Sequence, residues 1–105
     1  MYDMTKLKTR YFNMKLKNGK IIDIEPPRLK ILRKIATLSK TKENEELTES
    51  DVKNLIEATA LALNKNRQEY RITAETIEEY YNIEDVMDFL NNYFDWINET
   101  QNLKN

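Results

Sequence analysis

The chain contains one glycine, and it falls between two short alternating apolar segments. Arg10 to Leu16 and Lys20 to Ile24 flank Lys17-Asn18-Gly19, which reads as two strands joined by a tight turn. Side-chain parity decides the loop. A two-residue Asn18-Gly19 turn would set Phe12, Met14 and Leu16 on the same face as Ile21, Asp23 and Glu25, scattering the apolar residues. A three-residue loop, with Lys17-Asn18 in a type I turn and Gly19 left-handed as a G1 bulge, sets them on one face with Ile22 and Ile24. The only glycine then stands where a positive φ is required.

Helical periods follow. Pro26-Pro27 ends the second strand, and Pro27 suits the first position of a helix running to about Lys40. On that helix Leu29, Ile31, Leu32, Ile35, Ala36 and Leu38 form the core face, and Lys30, Arg33, Lys34 and Lys40 form a basic stripe. Residues 41–47 lack periodicity and read as a connector. Thr48 and Asp51 form a capping pair for a second helix ending near Lys65, with Val52, Leu55, Ile56, Thr59, Ala60 and Leu63 inward and Leu61 pointing away. After a polar stretch, Ile72-Thr73 opens a short helix from Ala74 to about Tyr81. Asn82 caps a last helix whose first turn carries Glu84 and Asp85. Its stripe of Ile83, Val86, Met87, Leu90, Phe94 and Ile97 is flanked by a second one of Phe89, Tyr93 and Trp96. The expected fold is α+β: one domain over residues 1–105, with a hairpin at 10–25, about four helices over 27–100, and flexible ends at 1–9 and 100–105.

At 105 residues the chain supports one core, and 40% hydrophobic residues are enough to build it. The 33% of charged residues and a mean hydropathy of -0.77 imply a hydrated exterior. No apolar run reaches the roughly 20 residues that span a bilayer, and the first ten residues carry no apolar signal segment. The absence of cysteine suits a reducing compartment. A cytoplasmic location and no membrane partner are therefore expected.

Composition also narrows the chemistry. Zero histidine removes the usual general base and the commonest zinc ligand, and one glycine excludes glycine-rich phosphate loops. Carboxylates remain: Glu75, Glu78, Glu79, Glu84, Asp85 and Asp88 crowd the last two helices. Acids at helix starts oppose the macrodipole and commonly form a solvated face. The expectation is a non-enzymatic protein without cofactor or metal, acting through a macromolecular partner.

Two surfaces are candidates. Residues 1–40 carry 11 Lys and Arg against 3 Asp and Glu, whereas residues 41–105 carry 6 against 15. The two halves either attract each other within the domain or present two binding surfaces. The stripe of Lys30, Arg33, Lys34 and Lys40, joined by Lys15, Lys17 and Lys20 of the hairpin, could follow a phosphate backbone. The acidic later helices oppose that, since phosphates would repel them. Phe89, Tyr93 and Trp96 have two readings: the far edge of a wide core face under the hairpin or first helix, or a docking or self-association strip. In the second reading they join Leu61 as the candidate partner-binding set.

The order of parts resembles the small tail assembly chaperones of long-tailed phages and prophages of Gram-positive bacteria. The resemblance runs through Phe12-Asn-Met-Lys-Leu-Lys-Asn-Gly-Lys-Ile-Ile-Asp-Ile24, a basic helix, an acidic connector, Ile72-Thr-Ala-Glu-Thr-Ile77, and Ile83-Glu-Asp-Val-Met-Asp-Phe-Leu90 leading into a terminal amphipathic helix. It implies a non-enzymatic protein that binds the long helical tape measure protein, or another tail protein, and keeps it soluble until tube subunits assemble around it. It transfers no functional residues. The alternatives are a nucleic-acid-binding regulator using the basic helix and a structural head-tail component.

Overall fold

The computed structural model describes residues 1–6, 10–40 and 46–102. An antiparallel hairpin of β1 (Phe12–Lys15) and β2 (Ile21–Ile24) is followed by four α-helices: α1 (Leu29–Leu38), α2 (Glu49–Asn64), α3 (Ala74–Tyr80) and α4 (Ile83–Asn102). A single 3₁₀ turn, Met4–Lys6, precedes the hairpin. The expected mobility of residues 7–9 and 103–105 and the connector at 41–45 lie outside the described residues. α4 continues through Asn102, beyond the end expected near residue 100.

Phe12 pairs with Ile24 and Met14 with Ile22, the register that side-chain parity requires. The loop has three residues: Leu16 N–H donates to Lys20 O at 2.8 Å, Gly19 N–H donates to Leu16 O at 2.9 Å, and Gly19 has φ +88°. A Cβ at Gly19 would meet no atom within 4 Å, so the backbone angle alone demands glycine there. The Asn18 side chain accepts from Lys20 N–H at 2.9 Å, tightening the turn.

α2 is the central helix, and α1, α3, α4 and β2 all pack on it. That arrangement corrects two expectations. Ala58 and Ala62, absent from the expected inner face, are fully buried, their small side chains letting neighbouring elements come close, and Val52, Ile56 and Ala60 are half-buried. Leu61 does not point away; it is half-buried against the core, because a helix contacted on several sides has little outward face to give. Thr59 is buried within this core and returns its hydroxyl to Leu55 O at 2.8 Å.

α1 starts two residues later than Pro27. Pro26 precedes a proline and is held extended; the extended path continues through Arg28, the N-cap at φ -66°, ψ 152°, which has no side-chain cap. Leu29, placed on the core face by periodicity, is therefore the first residue of the helix and is 82% exposed, while Ile35 at mid-helix is fully buried. The other helix starts match their capping residues. Thr48 and Asp51 form a reciprocal capping box, as do Asn82 and Asp85, and Thr73 caps α3 by accepting from Thr76 N–H. The core joins Leu16, Ile22 and Ile24 of the hairpin to Leu55 and Leu63 of α2, Ile77 of α3, and Val86, Leu90, Tyr93 and Trp96 of α4.

Candidate functional site

The aromatic stripe of α4 takes the core reading. Tyr93 is 0% and Trp96 9% exposed; Phe89 is half-buried. Phe12 of β1 lies over them, its ring 6.1 Å from Phe89 and 5.6 Å from Trp96 between centroids. Arg10 closes the far end, its guanidinium 5.1 Å from the Trp96 ring and donating to Trp96 O at 2.8 Å. The set of Phe89, Tyr93, Trp96 and Leu61 is thus not an exposed strip. Tyr93 is wholly buried, Phe12 and Arg10 cover Trp96, and Leu61 packs against the core. Burial pushes the Tyr93 phenol above its ordinary pKa, and its hydroxyl has no hydrogen-bond partner among the described residues.

What remains open is the ground beside the stripe. A groove of about 500 Å³ runs between β1 and the first half of α4. Phe12 and Met14 line its β1 side, Val86 and Phe89 its α4 side, and Leu63 and Thr59 of α2 its floor. Its walls carry opposite charge: Lys15 and Lys17 on the hairpin, Glu84, Asp85 and Asp88 on α4. Each wall follows from local structure. Odd positions of β1 point away from the core, which exposes Lys15, and the first turns of α4 hold acids that favour the helix start. Lys17 bridges the walls by pairing with Asp85, and its ammonium lies 5.4 Å from the Tyr81 ring. The bond from Lys17, with a second from Asn82 N–H, holds the Asp85 carboxyl below the usual carboxylate range.

The other candidates disperse. Glu75, Glu78, Glu79, Glu84 and Asp88 are exposed on successive turns, and among the described residues no three His, Cys, Asp or Glu side chains converge as metal ligands would. Lys30, Arg33, Lys34 and Lys40 are exposed, with Lys34 3.4 Å from Glu57 of α2. The hairpin lysines do not simply extend that stripe: Lys17 is engaged by Asp85, and Lys20 lies 5.1 Å from the Tyr70 ring. No described helix is long and apolar enough to cross a membrane. Periodicity could not reveal the groove, because it forms between elements some 70 residues apart in the chain; the alternating polarity of β1 was its only local trace.

Comparison with protein-family models, with curated proteins and with solved structures finds no match to this chain.

Proposed function

We propose that this protein is a non-enzymatic protein-binding factor, and that its particular role is that of a tail assembly chaperone holding the tape measure protein or another tail protein before assembly. The observation that carries the reading is the β1–α4 groove: a half-buried apolar trough with a basic wall and an acidic wall. Such a trough gains by covering apolar surface, and its charged walls orient what covers it. Reversible release suits a site in which several half-buried side chains, not one deep pocket, hold the partner. The resemblance in element order supplies the class of partner.

The test is capture of the tagged protein from cells expressing its native neighbours, with and without nuclease, beside the variant Asp88→Lys. Asp88 is exposed on the acidic wall, so its reversal should leave the fold unchanged by circular dichroism. Recovery of one long helical protein, insensitive to nuclease and lost with Asp88→Lys, is expected. Recovery that vanishes with nuclease, and is lost instead when Arg33 and Lys34 are replaced by Glu, would transfer the activity to the basic stripe of α1.

A further inference from the structure

We infer that the groove receives its partner as an extended segment that adds a third strand to the free edge of β1. This assignment rests on the protein-binding reading and specifies how that binding occurs. Leu16 N–H bonds to Lys20 O, and the pairing then alternates along the ladder, so the backbone groups of Met14 and Phe12 point to β2. The N–H and C=O groups of Asn13 and Lys15 consequently point the other way. They have no hydrogen-bond partner among the described residues. The groove lies on that same side, since β1 residues line it and no β2 residue does. An edge of unpaired donors and acceptors immediately beside an apolar trough is the arrangement that strand addition uses: main-chain bonds give affinity, and alternate side chains fill the trough.

The chemistry of the occupant follows. Side chains of an added strand alternate between faces. Those on the inner face meet Phe12, Met14 and Phe89 and must be apolar. On the outer face the residue beside Lys15 is acidic. A basic residue toward the α4 side would meet Glu84 and Asp88, the acids of that wall not already paired with Lys17. The partner segment is therefore a short extended peptide with apolar residues at every second position and charges of both signs between them. A second copy of this chain fits less well. Edge-to-edge pairing of two β1 strands would bring the two α4 walls alongside each other, acid against acid.

The experiment uses the full chain and two pools of fluorescein-labelled synthetic peptides of equal composition. One pool places Val or Ile at every second position with Glu and Lys between; the other spaces the same residues as one face of a helix. Binding is read by anisotropy, and amide exchange of Asn13 and Lys15 by NMR. Expected is binding of the alternating pool with slowed exchange at both amides. Asn13→Pro, which removes an outward donor while leaving the β1–β2 bonds intact, should weaken that binding about ten-fold, and Asn13→Ala should not. Failure of the alternating pool to bind, equal effects of the two substitutions, or slowed exchange that grows with protein concentration in the absence of peptide would each overturn the assignment. Binding of the helical pool with both amides still exchanging freely would overturn it while leaving the protein-binding reading in place.

Discussion

The two edges of the hairpin are treated differently by the rest of the chain. Along β2, the segment after α2 runs beside the strand and ties it down: Glu25 N–H donates to Lys65 O at 2.8 Å, Arg67 N–H to Asp23 O at 2.9 Å, and Ile24 bridges Asn66. Gln68 adds a side chain, accepting from Asp23 N–H at 2.8 Å and donating to the Asp23 carboxylate at 2.9 Å. Buried Asn66 then holds that segment in shape, donating to Leu63 O and Tyr70 O and accepting from Tyr70 N–H. Among the described residues nothing comparable lies along β1, whose outer backbone groups face the groove. A two-stranded ribbon is marginal alone; among the described residues this one is completed on one side by its own chain and left incomplete on the other. The lesson is that the exposed edge is a specific feature, because the same chain seals the opposite one thoroughly.

The largest effect should come from cutting the seal. Asn66→Ala strands one buried and two part-buried backbone groups, and at about 1 kcal/mol for each the loss should be about 2–3 kcal/mol, read by chemical denaturation. Proline substitution then contrasts the edges directly. Glu25→Pro removes a bonded donor and should cost about 1–2 kcal/mol, whereas Asn13→Pro removes a donor with no partner and should cost less than about 1 kcal/mol. Equal costs would abolish the distinction.

In the core, Tyr93→Phe deletes a buried hydroxyl that has no partner among the described residues and should raise stability by about 1 kcal/mol, seen as a higher denaturation midpoint. A loss of stability would mean that the hydroxyl is bonded in solution.

Much of this was legible in advance for reasons that can be stated. The hairpin register followed from parity, since a slip of one residue would turn Met14 and Leu16 to solvent. The start of α2 followed from the Thr48–Asp51 capping pair and that of α4 from Asn82 as a cap with acids in the first turn, signals that act locally and need no tertiary knowledge. Leu29 misled because periodicity describes a helix face but not how far along the helix a neighbour covers it. Residues 64–71 read only as a polar stretch. Asn64 and Asn66 there bond backbone up to eight residues away, and the seal on β2 depends on where that strand lies. The groove was invisible for the same reason, and the aromatic stripe left two readings open until the cover by Phe12 was known.

The smallest expected effect concerns acid. The folded pKa values of Asp85 at the groove and Asp23 at the sealed edge are both depressed, Asp85 chiefly by Lys17 and Asp23 chiefly by Asn13. The unfolded chain therefore binds protons more readily, so the stabilisation is complete above the ordinary carboxylate range near pH ~4 and is lost as pH falls through the depressed values. Asp85→Asn should flatten that acid limb of a melting-temperature profile slightly, and added salt should shrink the difference.

Amide hydrogen exchange of the free protein, followed residue by residue at low concentration, tests the central contrast most directly. The account predicts fast exchange at Asn13 and Lys15 and protection at Met14, Asp23, Glu25 and Arg67. Protection of Asn13 and Lys15 in the monomer, or free exchange at Asp23 and Glu25, would contradict it.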